Sequence, residues 1–133
     1  MAFDFLRGLF RRGRDASPSG DDPPALEPRA VTDTDFEDVI LKAMVPAVVD
    51  FWADWCAPCH ALAPSIARLA TEYEGRAIVA KLNVDENEHW PIRYNIQGIP
   101  TILFLKKGEV VDRVLGVTSY DVLKRKLDAL LDA

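Results

Sequence analysis

Residues 50–60 read DFWADWCAPCH and hold both cysteines of the 133-residue chain. The overlapping run AVVDFWA (47–53) is short and apolar, which is typical of a buried central strand. Pro58 is tolerated in the first turn of a helix, so we expect a helix to follow directly. Cysteines three positions apart on that turn share one face and can form or break a disulfide with small side-chain changes. The stretch therefore predicts a strand, a turn and a helix that carry a reversible two-electron switch.

The two cysteines are expected to play different parts in this switch. The free N–H groups at the helix N-terminus stabilise a thiolate on the earlier residue, Cys56, which we also expect to be the more exposed of the two. Cys56 would attack a substrate disulfide, and Cys59 would then resolve the mixed disulfide and release the reduced substrate. The pattern thus predicts a nucleophilic Cys56 and a resolving Cys59.

Two charged residues occupy positions that are expected to be buried. Asp50 lies inside the apolar run, where desolvation would raise the pKa of its carboxyl and allow it to accept the Cys59 proton. The alternative is a solvated carboxylate at a strand edge. Lys81, inside AIVAKLNV (77–84), is expected either to approach Asp50 from the neighbouring strand or to reach solvent through its long side chain.

Segments typical of strands and helices alternate along the rest of the chain. The first helix is expected to be capped at Thr32 or Asp33, and Lys107 and Gly108 are expected to turn a hairpin. This order predicts an α/β fold in which a central mixed β-sheet is flanked by α-helices on both faces. The expected elements are a strand at 30–31, a helix at 32–44, a strand at 47–53, a helix at 58–73, a strand at 77–84, a hairpin at 101–116 and a helix at 119–133.

The N-terminus differs in composition from the rest of the chain. Residues 1–14 combine apolar side chains at helical spacing with four arginines, and residues 15–28 have the Pro, Ser, Gly and Asp content of a flexible linker. A basic helix on an anionic membrane surface and a transit peptide are the functional alternatives. We favour a frayed tail, because so short a segment seldom holds a helix alone in water. The domain is expected to span residues 29–133.

Composition and charge narrow the location and the partners. Arginines interrupt every apolar run that could serve as a signal-peptide core or a membrane span. With no structural disulfides either, the expected location is the cytoplasm, or an organelle if residues 1–14 are a transit peptide. The formal net charge of −5 gives no general attraction for nucleic acid. Half of a metal site is the alternative interpretation of the cysteine pair, but only His60 and His89 remain as further soft ligands, so we expect no metal.

Several stretches carry a resemblance to a known family. VDFWADWCAPC (49–59), KLNVDEN (81–87) and YNIQGIPTILFLKKGE (94–109) are similar to the corresponding stretches of thioredoxins, as is Gly116. The chain therefore resembles the thioredoxin family over nearly everything from Arg29 to the C-terminus. The resemblance implies the thioredoxin fold.

The resemblance also implies roles for individual residues. Cys56 would be the attacking cysteine, Cys59 the resolving one, and Asp50 the buried proton acceptor with Lys81 beside it. The Ile99–Pro100 peptide bond would be cis and would lie against the disulfide. The substrate-contacting residues would be Trp55, Ala57, Pro58, Ile99, Pro100 and Gly116.

The implied function is that of a protein-disulfide reductase, a dithiol that reduces the disulfides of several substrate proteins and supports cell redox homeostasis. No cofactor would be bound. Reducing equivalents would come from NADPH through a flavin-containing thioredoxin reductase, and we expect a monomer. Ala57 stands where the family usually has Gly, and His60 where it has Lys or Arg, which leaves the redox potential open and makes the local charge pH-dependent.

Two alternative functions follow from the same residues. The first is a binding module that uses the fold and its groove to hold a partner without catalysis. Against it, a pure binder would need neither a resolving cysteine nor a buried base. The second is an oxidase or isomerase, but a histidine between the cysteines or an inserted helical domain, typical of those relatives, is missing from the sequence.

Overall fold

A computed structural model of the chain describes residues 26–132, which contain a five-stranded sheet. Its spatial order is β1-β3-β2-β4-β5; β1, β3 and β2 run parallel, whereas β4 pairs antiparallel with both β2 and β5. The sheet is therefore mixed, with β2 as its central strand. The strands are β1 (Arg29–Ala30), β2 (Ala47–Trp52), β3 (Ile78–Asn83), β4 (Thr101–Lys106) and β5 (Glu109–Leu115).

Helices cover the two faces of this sheet because alternate residues of β2 and β4 point to opposite sides. Val48 and Phe104 pack with the apolar faces of α2 and α4, whereas Val49 and Leu103 pack with residues of α1 and α3. The expectation of an α/β fold with a central mixed sheet is confirmed. The helices are α1 (Glu37–Leu41), α2 (Ala57–Glu72), α3 (His89–Arg93) and α4 (Tyr120–Leu131).

Helix α2 begins where the sequence indicated. Cys56 is its N-cap in an extended conformation, and Pro58 lies in the first turn, where its missing N–H group leaves no helical hydrogen bond unmade. Residues at helical spacing, such as Leu62 and Ile66, are fully buried. The chain leaves the helix through Gly75, whose φ of +83° is easily adopted by glycine. The strand and helix predicted around the cysteines are therefore present.

The helix expected over 32–44 is much shorter than predicted. Regular helical structure there is confined to Glu37–Leu41, which is wound as a π-helix without a side-chain cap. Of the two expected capping residues, Thr32 does cap the first turn of this segment: its Oγ1 accepts the Asp35 N–H at 3.3 Å, and Asp35 Oδ1 accepts the Thr32 N–H at 2.7 Å. Asp33 is used elsewhere, since its Oδ2 accepts the His89 N–H at 2.9 Å. Thr32 and Asp35 thus close the turn that leads into α1, and Asp33 ties this turn to α3.

Helix α3 was not predicted, because a five-residue helix containing a proline has no readable periodicity. Trp90 on this helix is buried and stacks on Phe36, with 4.7 Å between the ring centroids. Trp90 is therefore a packing residue of the core beneath α1 and α3. Its indole Nε1–H also donates to the Asp33 carbonyl at 3.2 Å, so α3 is joined to the segment before α1.

The first described residues already pack on the domain. Leu26 N–H donates to Thr71 Oγ1 at 2.8 Å, and the Leu26 side chain contacts the core between the sheet, α2 and α4. Pro28 is buried, so residues before the expected boundary at Arg29 belong to the packed structure. The predictions for residues 1–25 lie outside the described residues. Within 26–132, none of the helices is long and apolar enough to cross a bilayer.

Candidate active site

Cys56 and Cys59 form a disulfide at the start of α2, with 5.2 Å between their Cα atoms. Cys56 precedes the first helical residue, and its sulfur accepts the Cys59 N–H at 3.2 Å. A sulfur at this position faces the N–H groups and the positive end of the helix dipole, which favour the thiolate form when the disulfide is reduced. The local structure thus favours a thiolate on the earlier cysteine.

The expected difference in exposure between the cysteines is not present. Cys56 is 3% exposed and Cys59 is 2% exposed, so both are buried in the disulfide form. The Cys56 sulfur is covered by Ile99, whose carbonyl oxygen lies 3.8 Å away. Only the family resemblance indicated that Ile99 lies against the disulfide, because no local pattern relates Cys56 to a residue 43 positions further along the chain.

The loop before β4, which contains Gly98 and Pro100, reaches the disulfide through Ile99, and Gly116, directly after β5, contacts this loop. The Ile99–Pro100 peptide bond is cis, and Ile99 packs against the two cysteines. The Gly116 N–H donates to the Pro100 carbonyl at 2.8 Å, and Gly116 adopts a φ of +92°, which side-chain-bearing residues rarely adopt. A Cβ at Gly116 would meet nothing within 4 Å, whereas one at Gly98 would come within 3.2 Å of a Leu115 methyl carbon. The space around Gly116, next to Pro100, is therefore open.

The other side of the disulfide is formed by exposed residues. Trp55 is 70% exposed, and its indole Nε1–H donates to Asp85 Oδ2 at 2.9 Å. Ala57 and Pro58 are also exposed, on the first turn of α2. Asp85 was not singled out from the sequence, because no spacing relates it to Trp55. An open groove of about 310 Å³ runs between Trp55 and the loop before β4 and is lined by Trp55, Val84, Pro91, Ile96, Gln97, Gly98 and Ile99.

Asp50 is a buried carboxyl on β2, 5% exposed. Its Oδ1 atom has no hydrogen-bond partner among the described residues. Burial raises the pKa of Asp50 to about 7, and the charge of Lys81 opposes this rise. A carboxyl with this pKa is close to half ionised at neutral pH, which suits it to accept or donate a proton.

Lys81 lies directly opposite Asp50 in the parallel register of β2 and β3. It is partly buried, and its Nζ atom lies 5.1 Å from the ring centroid of Trp52. The aromatic face holds the ammonium group near the carboxyl without placing the two in a direct ion pair. The approach expected between these residues is therefore seen in the strand register.

Asp50, Lys81 and Cys59 meet in one cavity, of about 190 Å³. The sheet supplies the acid and the lysine, and α2 supplies the cysteine. The same cavity is lined by Glu27 and His60, which no sequence pattern placed next to Asp50. Within 26–132, no three side chains from His, Cys, Asp and Glu come together as a metal site.

The family model for thioredoxin matches residues 27–129, which is most of the chain and includes every residue of the site. The chain belongs to the thioredoxin family.

Three similar relatives are thioredoxin 2 of Chlorobaculum tepidum, a thioredoxin of Chlorobaculum thiosulfatiphilum and a thioredoxin of Thiocapsa roseopersicina. The first is 50% identical over 97 residues, which cover 73% of this chain and 89% of the relative. The second is 47% identical over 97 residues, 73% of this chain and 90% of that protein. The third is 54% identical over 80 residues, 60% of this chain and 88% of that protein.

Membership of the thioredoxin family explains what the cysteine pair does. The protein is a thiol–disulfide oxidoreductase, and the bond between Cys56 and Cys59 is its redox-active disulfide. The match to the thioredoxin model agrees with the resemblance noted from the sequence, which is confirmed.

Proposed function

We propose that this thioredoxin-family protein reduces disulfides in several substrate proteins and so supports the redox balance of the cell. The observation that carries the proposal is the shared cavity of Cys59 and Asp50 directly behind a disulfide at a helix N-terminus. This arrangement supplies an activated nucleophile on one side and a proton acceptor on the other. The relatives named as thioredoxins support the same function.

The proposed reaction begins with the reduced dithiol. The Cys56 thiolate attacks one sulfur of the substrate disulfide, and the other sulfur leaves as a thiolate, which takes a proton from solvent. Asp50 then accepts the proton of Cys59, and the Cys59 thiolate attacks the Cys56 sulfur. The bond between Cys56 and the substrate breaks, and its electron pair leaves with the second substrate sulfur as a thiolate. This thiolate takes a proton from solvent, to which Asp50 returns the proton that it accepted. The protein is oxidised to the disulfide, and the substrate is reduced to two thiols.

The groove beside the disulfide is the proposed substrate site. Ile99 and Trp55 border it on either side, and the backbone at Ile99 and Pro100 could pair with an extended segment of the substrate. The open space at Gly116 would admit that segment. Ala57 and Pro58, exposed next to Cys56, would contact the residues around the substrate disulfide.

The source of electrons and the location are also proposals. We infer that NADPH recharges the protein through a flavin-containing thioredoxin reductase, as the resemblance implies, since members of this family bind no cofactor themselves. A monomer leaves both sides of the disulfide open to the reductase and to substrates. The cytoplasm is the proposed compartment, because both cysteines of the chain form the redox pair and none remains for a structural disulfide.

A Cys59→Ser variant tests the function and the order of the two cysteines. We expect it to form a stable mixed disulfide with a disulfide-containing substrate such as insulin, because no second thiol can release the complex. Turnover should be lost. Non-reducing electrophoresis and mass spectrometry would locate the bond at Cys56.

The matched control is Cys56→Ser, which should lose turnover without trapping substrate, because the attacking sulfur is missing. If the trap formed on Cys59 in this control, the assigned roles would be reversed. If the wild-type protein failed to reduce insulin with dithiothreitol or with NADPH and a reductase, the proposed function would be wrong.

A further inference from the structure

Asp33 ties the turn before α1 to the N-terminus of α3. Its Oδ2 atom accepts the His89 N–H at 2.9 Å, and its Oδ1 atom accepts the Trp90 N–H at 3.3 Å. Both N–H groups belong to the first turn of α3, where backbone N–H groups lack partners inside the helix. A carboxylate that lies 56 and 57 positions earlier in the chain therefore supplies both acceptors.

The backbone of Asp33 adds two contacts to the same segment. Its N–H donates to Asn87 Oδ1 at 2.8 Å, and its carbonyl oxygen accepts the Trp90 indole Nε1–H at 3.2 Å. Asn87 is buried and donates through Nδ2 to the carbonyl of Asn83, the last residue of β3, at 3.1 Å. Because these backbone contacts do not involve the Asp33 side chain, a substitution at this position removes the two carboxylate contacts and keeps the other two.

Helix α3 leads directly into one wall of the groove beside the disulfide. Pro91 is buried on this helix and lines the groove together with Ile96. The Pro91 carbonyl accepts the Ile96 N–H at 2.8 Å. The chain continues from Ile96 to Ile99, whose carbonyl oxygen lies 3.8 Å from the Cys56 sulfur. The first turn of α3 is thus connected, through the groove wall, to the cover of the disulfide.

The orientation of α3 needs a directional contact. A helix of five residues is too short to be stable by itself, so its position depends on the rest of the domain. The stack of Trp90 on Phe36 holds the helix against the core, but apolar contacts are not directional. Hydrogen bonds are directional, and the two that Asp33 accepts fix how the first turn faces the groove.

We propose that Asp33 is a positioning residue for the substrate groove, which holds the α3 wall in place for the extended segment of a substrate protein. The inference rests on the function proposed above. Asp33 bonds to α3 and not to the cysteines, so its loss should weaken the binding of a substrate protein and leave the chemistry at Cys56 unchanged. A disulfide too small to occupy the groove should react equally well without the Asp33 carboxylate.

The test compares Asp33→Ala with the wild type on two disulfides of different size. The reduced full-length proteins would be mixed with insulin or with hydroxyethyl disulfide, and their oxidation would be followed by tryptophan fluorescence. The insulin concentration that gives half the maximal rate should rise about fivefold to tenfold in Asp33→Ala, because only a fraction of its molecules have the wall in place. The maximal rate should not change. The rate constant for hydroxyethyl disulfide should stay within about twofold of the wild type.

Asp35→Ala is the matched control. Asp35 is half-buried like Asp33 and lies in the same turn, but its Oδ1 atom accepts the N–H and the hydroxyl of Thr32, at 2.7 and 3.2 Å. This variant should react with both disulfides as the wild type does. A half-maximal insulin concentration that did not change in Asp33→Ala would overturn the proposal, as would an equal rise in Asp35→Ala. An equal loss of rate with hydroxyethyl disulfide would place the effect at the cysteines and would also overturn it.

Hydrogen exchange separates this inference from the proposed function, because it needs no substrate. The Ile96 N–H, which is bonded to the Pro91 carbonyl, should exchange about tenfold faster in Asp33→Ala and at the wild-type rate in Asp35→Ala. An unchanged rate in Asp33→Ala would overturn the inference, whereas a wild-type protein that reduced neither disulfide would refute the function. If Asp33→Ala did not fold, Asp33→Asn, which keeps one acceptor oxygen, should show a rise of about twofold to threefold in the half-maximal insulin concentration. No rise in that variant would then overturn the proposal.

Discussion

At the scale of single residues, the site depends on one buried acid. Asp50 is 5% exposed, its Oδ1 atom lacks a partner within the described part of the chain, and burial raises its pKa to about 7. A carboxyl that is costly to ionise in the folded protein destabilises it whenever the pH forces ionisation. The property that makes Asp50 a proton acceptor therefore also lowers stability.

The substitution Asp50→Asn should reveal this loss through its pH dependence. The folded protein binds the Asp50 proton more tightly than the unfolded chain, so stability falls as the pH rises from about 4 to about 7. Asparagine does not ionise, so the stability of the variant does not fall in this way. The unfolding free energy of the variant minus that of the wild type should therefore be roughly 2–4 kcal/mol higher at pH 8.5 than at pH 4, measured by urea denaturation.

Asp38→Asn is the control for this measurement, because Asp38 is exposed on α1 in a surface pair with Lys42. Its difference from the wild type should stay within about 0.5 kcal/mol at both pH values. A difference between Asp50→Asn and the wild type that did not change with pH would contradict the raised pKa.

At the scale of elements, helix α4 is held by its cap and by two tyrosines. The Ser119 hydroxyl oxygen accepts the Val122 N–H at 3.2 Å and begins the helix. The Tyr73 hydroxyl donates to the Asp128 carboxylate, which joins the end of α2 to α4. The Tyr120 hydroxyl donates to the Glu72 carboxylate in the same interface. These contacts orient α4 on the sheet face that also packs α2.

Ser119→Ala should lower the unfolding free energy by about 1 kcal/mol, because the first turn of α4 loses its side-chain acceptor. Thermal and urea unfolding would measure the loss. Ser65→Ala, inside α2, is the contrasting control and should be neutral or slightly stabilising, since alanine has the higher helix propensity. Equal losses in the two variants would show that the cap contributes nothing specific.

At the scale of the whole molecule, the sheet separates two apolar cores. Leu103 on β4 is fully buried in the core beneath α1 and α3, and Ile102 next to it is fully buried in the core beneath α2 and α4. Successive residues of this strand therefore pack alternately against the two helical layers. The site lies at the end of the sheet, where β2 meets α2 and the loop before β4.

Leu103→Ala should destabilise the protein by about 2–5 kcal/mol, because it leaves a cavity in the middle of the sheet. Leu115→Ala, at a side chain that is 68% exposed, should cost less than about 1 kcal/mol. Urea unfolding of both variants would measure the contrast. Similar losses would contradict the burial of Leu103 in this core.

Deletion of residues 1–25 should leave the rate of insulin reduction unchanged, because the residues proposed for exchange all lie between Asp50 and Gly116. The deletion keeps Leu26, whose backbone N–H and side chain contact the domain. The rate would be compared with that of the full chain at equal protein concentration. A several-fold loss of rate would assign the N-terminal segment a part in exchange.

The sequence alone determined the α/β class, the strand and helix around the cysteines, and the roles expected of Cys56, Cys59 and Asp50. These features follow from local information: the apolar run, the position of Pro58 and the spacing of the cysteines. Tertiary structure decided the π-helical α1, the short α3, the burial of Cys56 beneath Ile99 and the meeting of the acid with His60 and Glu27. Each of these depends on contacts between residues distant in sequence, and local periodicity contains no information about such contacts.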